Sequence, residues 1–220
     1  NHKGRVINRD KYFLPNITWS ALSKRISLRY TPKGSIFDTK GQCIFSSTDG
    51  LKEQIMAYLN STVAESFLKV LAPTLDFNCG VIAQMPYNQA TVDRDIINSC
   101  ISISKSDWDA HETSWDFQRN ELLSIDTSIY MENINYEIEK HFEETGEHIC
   151  IDPAAPKLGS LEWRMEQYKT KWERKFMQLH KNEEELNRQF IDIYGLQDEL
   201  TPDVPLNEIT ILQQGEISIE

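Results

Sequence analysis

The stretch SKSDWDAHETSWDF, residues 104 to 117, holds two Trp-Asp pairs seven residues apart with His111-Glu112 between them. Trp-Asp pairs suggest a propeller blade, but blades recur as strand-rich units about every 40 residues and no such period exists in this chain. His-Glu suggests a zinc helix, but that chemistry needs His-Glu-x-x-His, and Trp115 stands where the second ligand belongs. Asp38-Thr39-Lys40 resembles the Asp-x-Lys end of a metal-dependent nuclease motif. That motif needs a second acidic ligand on an adjoining strand, and Asp10 is the one upstream candidate, so a turn is the better reading. His148-Ile149-Cys150 holds at most half a metal site, and Cys43, Cys79, Cys100 and Cys150 include no CxxC pair. The cysteines read as reduced, mostly buried thiols of a cytoplasmic protein. No GxGxxG, P-loop or GxSxG occurs. The expected metal set is none, and so is the catalytic set.

Binding chemistry is better represented. TWSALSKRISLRYTPKG places Lys24, Arg25, Arg29 and Lys33 among Trp19, Tyr30 and the hydroxyls of Thr18, Ser20 and Ser23. Lysine and arginine neutralise phosphates and set register on DNA, whereas hydroxyls, amides and aromatics can reach base edges. Lys24, Arg25, Arg29 and Lys33 are therefore the candidate phosphate contacts. Thr18, Trp19, Ser20, Ser23 and Tyr30 are the candidate base readers, joined by Asn78 in the segment Thr74 to Gly80. On physics alone, a sheet with a basic exposed face and no partner explains the same residues equally well.

Charge divides the chain. Net charge is −11 over 220 residues, yet residues 1–90 hold eleven Lys+Arg against six Asp+Glu, and residues 91–220 hold twelve against 28. A basic module followed by an acidic one fits this asymmetry. Hydrophobic content of 40% and charged content of 26% suit a folded globular protein. No apolar run approaches the ~18 residues needed to cross a bilayer, so no membrane partner is expected. The chain opens on Asn rather than Met and reads as a fragment of a longer protein.

The elements that must position these residues follow from periodicity. Short β-branched and aromatic bursts predict strands in NITWSAL, SLRY, GSIFD and QCIFS, with DTKG as a hairpin turn in which Gly41 takes a positive φ. Asp49 offers an N-cap for a helix with the stripe Leu51, Ile55, Tyr58 and Leu59. A second helix carries Val63, Phe67, Leu68 and Leu71 and stops before Pro73. Ile97, Cys100, Ile101, Ser104 and Trp108 share one face of a third, where Trp108 and Trp115 are expected to pack against neighbouring helices. Tyr130, Ile134, Ile138 and Phe142 mark a short helix ended by Gly146, and IDPAAPKLGS is a connector. Met165, Trp172, Leu179, Leu186 and Ile193 then recur every seven residues, widened by Phe176 and Phe190, up to Gly195. The positions between them, Tyr168, Lys175, Asn182 and Gln189, are too polar for a two-stranded coiled coil. A single spacer helix over about 161–194, packed on another helix, is predicted. The expected fold is α+β: a small mixed α/β unit over residues 1–90, then a mainly helical region over 91–220.

Four segments in order, YFLPNITWSALSKRISLRYTPKGSIFD, IMAYLNSTVAESFLKVLAPTLDFNCGVIAQMPY, ISISKSDWDAHETSWDF and NEEELNRQFIDIYGLQDELTP, resemble the C-terminal half of adenine-specific DNA methyltransferases of the bacteriophage-exclusion (PglX) type. Fused restriction-methyltransferase enzymes share related blocks. The resemblance implies a DNA target-recognition domain followed by a helical spacer, with SKSDWDAHETSWDF at their junction. It also implies an S-adenosylmethionine-dependent catalytic domain elsewhere in the full-length protein, presenting an Asn-Pro-Pro-Tyr motif to an adenine drawn from duplex DNA. Asp152-Pro153-Ala154 does not match that motif, and Ala72 and Asp76 depart from the asparagines expected in relatives. The implied partners are double-stranded DNA, the catalytic domain and possible further defence-system subunits. The competing class is a protein-interaction module of the same system with no direct DNA contact.

Overall fold

Ile17 and Trp19 point inward at 0% and 3% exposure, and Ser20 points out, so the first burst forms a half-buried strand. In the computed structural model this is β1 (Asn16–Ser20), the centre of a three-stranded antiparallel sheet with β2 (Arg29–Thr31) on one side and β3 (Gly41–Ile44) on the other. The register pairs Ile17 with Tyr30 and with Ile44, and Thr18 with Arg29 and with Cys43. Residues 8–38, 40–74, 76–127, 138–147 and 156–211 are described by the structure. The readings placed on Tyr130, Ile134, His148, Cys150 and Asp152-Pro153-Ala154 lie outside these residues.

Helices follow at α1 (Leu51–Leu59), α2 (Thr62–Leu71), the single turn α3 (Cys79–Ile82), α4 (Arg94–Asp109) and α5 (Leu161–Tyr194). Residues 138–145 are also helical. The class is α+β, as expected, and the long helix has the predicted bounds. Its end is a Schellman motif: Gly195 at φ 67 lets its own N–H reach the Asp192 carbonyl (3.2 Å) while the Leu196 N–H reaches that of Ile191 (3.0 Å).

Two compact units are present. The first joins Asn1–Ser102 to Leu179–Ile209. Its core gathers Ile17, Trp19 and Leu28 from the sheet, Tyr58, Val63 and Leu68 from α1 and α2, Ile97 from α4, and Leu186, Phe190 and Ile191 from α5. Tyr58 lies parallel to the Tyr194 ring at 5.5 Å, and both hydroxyls donate to the Pro86 carbonyl. Asn60 fastens the chain entering β2 to the α1–α2 corner, accepting from the Leu28 N–H at 2.8 Å and donating to the Leu28 carbonyl at 3.1 Å. Two polar heptad positions of α5 have partners here: Asn182 donates to the Ser99 hydroxyl (2.9 Å), and Gln189 accepts from the Asp93 N–H (2.9 Å).

The second unit joins Ile103–Gln178 to Thr210–Glu220. Trp163 and Trp172 are buried in it, and Glu121 accepts from both the Trp172 indole N–H and Lys171 at 2.8 Å. Arg164 donates to the carbonyls of Leu122 and Ile125. Lys175, a third polar heptad position, donates to the Ser106 hydroxyl and lies over the Trp172 ring.

Several expectations are corrected. GSIFD is not a strand, because its backbone serves a different segment: the Phe13 N–H bonds the Ser35 carbonyl and the Gly34 N–H bonds the Phe13 carbonyl. Gly41 opens β3 without a positive φ, and the turn before it is made by the Asp38 carboxylate, which accepts from the N–H groups of Lys40 (2.7 Å) and Gly41 (2.8 Å). The α1 N-cap is Gly50 at φ 72 rather than Asp49, whose carboxylate is held by Arg94 at 2.9 Å. Trp108 and Trp115 do not pack between helices. They are 58% and 100% exposed, because Lys105 pairs with Asp109 and Asp116 and Ser114 bonds Asp109, ordering the loop without the indoles.

Candidate nucleic-acid interface

Asn78 apart, the candidate residues occupy β1, β2 and their two ends. Between the strands the chain runs over residues 21–28 with Ala21, Ile26 and Leu28 buried, which leaves Lys24 and Arg25 outside the core. The Ser23 hydroxyl donates to the Arg25 carbonyl at 2.7 Å and fixes that turn. Lys33 sits beyond β2, beside Gly34 at φ 116. Since Asn16 pairs with Thr31, Lys24 and Lys33 lie at opposite ends of the β1–β2 pair, roughly 15–20 Å apart at 3.4 Å per strand residue.

The four cations divide by their electrostatics. Lys24 and Lys33 are exposed and, among the described residues, pair with no carboxylate. Arg25 is held by two: its Nε lies 3.3 Å from Glu65, and its guanidinium also pairs with Glu208. Arg29 is exposed as a residue, yet protein atoms crowd its guanidinium and lower its pKa, an effect that the nearby Glu183 carboxylate opposes. It remains charged. Burial raises the Glu183 carboxyl above the usual range, with Arg29, Arg25 and His180 acting against that rise and Glu208 adding to it. Both partners are thus shifted toward neutrality, as expected where lost hydration outweighs mutual attraction. Arg25, Arg29 and Lys69, which pairs with Glu65 at 3.2 Å, here face Glu65, Glu183 and Glu208, so the local charge is balanced rather than cationic.

Most candidate base readers already have partners. Trp19 is a correction: it is 3% exposed and its indole N–H donates to the Phe77 carbonyl at 2.7 Å, so it belongs to the core. The Thr18 hydroxyl donates to the Gln42 carbonyl across the sheet at 3.0 Å. Asn78 caps α3, accepting from the N–H groups of Gly80 and Val81. Tyr30 is half-buried under Lys52, whose ammonium lies 5.5 Å from the ring centre. Ser20 is exposed at the end of β1.

A second surface escaped sequence reasoning. Arg9 and Lys11 belong to a 3-10 turn just before Phe13, and Lys33 belongs to the turn bonded to it. Phe13, Leu14 and Ile36 are 56%, 43% and 58% exposed there. The cations were visible in the sequence, but nothing in it signalled that Phe13 adopts φ 64 or that residues 34 and 35 would bond to it.

Asp10 and Asp38 do not come together as a metal-ligand pair. The Asp38 carboxylate accepts from two backbone amides, which hold its carboxyl below the ordinary range, and Asp10 pairs with Lys11 at 3.1 Å. Among the described residues, no group of three His, Cys, Asp or Glu side chains could hold a metal. An apolar cavity of about 390 Å³ opens beside Trp19, Cys43, Ile55, Tyr58, Met85 and Tyr87. Its lining has no carboxylate to accept from ribose hydroxyls or from the ammonium of S-adenosylmethionine, so these residues do not fit that cofactor.

No family model matches the chain. It is 36% identical over 202 residues, 90% of its length, to the adenine-specific methyltransferase PglX of Lacticaseibacillus casei (strain Zhang). It is 35% identical over 125 residues, 56% of its length, to the adenine-specific methyltransferase BrxX of Escherichia coli O9:H4 (strain HS). The aligned segments make up 15% and 10% of those proteins.

Proposed function

From its standing as a relative of PglX-type adenine-specific methyltransferases, we propose that this chain is the DNA target-recognition part of such an enzyme. The observation that carries this reading is similarity along nine-tenths of the chain to a protein named for methylating adenine. In this role it holds duplex DNA and positions one adenine for N6 methylation within a phage-defence or restriction-modification system. The methyl donor S-adenosylmethionine and the groups that handle it are assigned to other parts of a full-length cytoplasmic enzyme, since the cavity described above does not suit them. By itself the chain transfers no methyl group. Lys24 and Lys33, which pair with no carboxylate among the described residues, supply phosphate contacts, and Ser20 is the hydroxyl best placed to reach a base.

Titration of a labelled random duplex at 50–300 mM salt tests the reading. Affinity falls steeply with salt, and Lys24→Ala with Lys33→Ala together lowers the slope by about two units. Absence of binding at 50 mM salt refutes it. A second reading, a protein-interaction module, is favoured by the fully exposed Trp115 and by the carboxylates that occupy Arg25 and Arg29. It predicts capture of a defence-system subunit, lost in Trp115→Ala, with no DNA affinity.

A further inference from the structure

We propose that Phe13 is a wedge that enters a base step of duplex DNA, with Leu14 and Ile36 beside it; this rests on the DNA-recognition reading. An L-residue at φ 64 is strained, and a phenylalanine there is unusual because asparagine or glycine would adopt the same backbone more easily. The strain is held from both sides by the bonds of the Phe13 N–H to Ser35 (3.0 Å) and of the Phe13 carbonyl to the Gly34 N–H (3.1 Å). Burial does not explain the choice, since more than half of the residue faces solvent. Such a residue is fixed in place without being packed.

The surroundings indicate the occupant. Phe13 meets the Tyr12 ring edge to face at 6.4 Å, and Tyr12, Phe37 and Phe45 continue the row edge to face at 5.5 and 5.3 Å, a stiff backing for a side chain that must displace something. Arg9, Lys11 and Lys33 flank it against two acids, Asp10, which pairs with Lys11, and Asp38, which stays anionic under the amides of Lys40 and Gly41, so Arg9 and Lys33 supply the surplus positive charge. Exposed apolar side chains within a cationic rim match a polyanion whose interior is an apolar stack. Phe, Leu and Ile are the types that unstack base steps, and an adenine must leave the stack before it can be modified.

The test compares binding of the whole chain to a perfect duplex and to the same duplex with one abasic site, where a wedge enters at little unstacking cost. The wild type should prefer the abasic duplex by roughly tenfold. Phe13→Gly removes the ring while relieving the strain, so it should fold; it should lose the preference and keep its affinity for the perfect duplex within about twofold. Phe13→Leu retains an apolar wedge and should retain the preference. Equal binding of both duplexes by the wild type, or a preference surviving in Phe13→Gly, overturns the wedge and leaves DNA recognition standing. Self-association abolished by Phe13→Gly assigns the patch to a second copy and also overturns it. No binding to either duplex overturns the DNA reading, and the wedge with it.

Discussion

Replacing Arg25 and Lys24 one at a time should give different outcomes, although they are adjacent and both cationic. Lys24 is exposed and has no carboxylate partner among the described residues, so a phosphate on it displaces only counterions. Loss of one such contact should lower the salt slope by about 0.9 and weaken binding about eightfold at 0.1 M salt. Arg25 sits between Glu65 and Glu208, and Glu65 also pairs with Lys69, so an approaching phosphate meets two positive charges already balanced by two negative ones. Arg25→Ala therefore removes no phosphate contact. It changes the local charge by one unit, and at ~10 Å in water that is worth about 0.4 kcal/mol, or twofold in affinity. The salt slope should stay within about 0.3 of the wild type. Stability should respond instead: the three side chains are 38%, 32% and 42% exposed, and two such pairs contribute about 0.5–2 kcal/mol to urea unfolding. Fluorescence anisotropy across a salt series, with urea melts of the same proteins, reads both quantities. If Arg25→Ala lowers the slope as much as Lys24→Ala, the carboxylates release Arg25 to DNA and this reasoning is refuted.

Other consequences are open to direct measurement. Trp19→Phe loses a buried indole bond and leaves the Phe77 carbonyl unpaired, which should cost about 2–4 kcal/mol in urea; a loss under about 0.5 would show that the bond contributes little. Glu183 has a folded pKa raised by burial, so the folded state binds its proton more tightly than the unfolded state does. Its contribution is full below the unfolded value of about 4.5 and is lost as pH rises through the folded pKa. Glu183→Gln should flatten the stability profile over that window, and an unchanged profile would show that the carboxyl titrates normally. Burial pushes the Cys100 thiol up to about 12, whereas Cys79 is exposed, so a disulfide reagent at pH 8 should label Cys79 well before Cys100; equal rates would contradict this.

What could be read in advance depended on how local its cause was. The long helix was legible because a seven-residue period, an acidic and basic surface and Gly195 all act within a few turns of each other. The end of α2 was legible from Pro73. GSIFD misled because its β-like composition is real, while the partner of its backbone is Phe13, some twenty residues earlier in an unpatterned strap. The basic segment was read correctly as composition. The carboxylates that engage Arg25 and Arg29 come from α2, α5 and the turn at Glu208, and nothing near Arg25 indicates that a residue 183 positions away will meet it. Residue type alone places Trp108 and Trp115 in packing, but the loop is ordered by Lys105 and Ser114.

The assembly of the first unit from Asn1–Ser102 and Leu179–Ile209 sets a schedule for synthesis. When Ser102 leaves the ribosome, the sheet, α1 and α2 exist as sequence, but Phe190, Ile191 and Tyr194, which close over Tyr58, have not been made. Translation at about 5–20 residues per second leaves that face uncovered for roughly 5–20 s. During this interval the Tyr58 ring, which Phe190 and Tyr194 later contact, should be open to chaperones and to other nascent chains. Soluble yield should therefore depend on translation speed between codons 103 and 209, and a gene truncated after residue 102 should produce insoluble protein although it encodes the whole sheet.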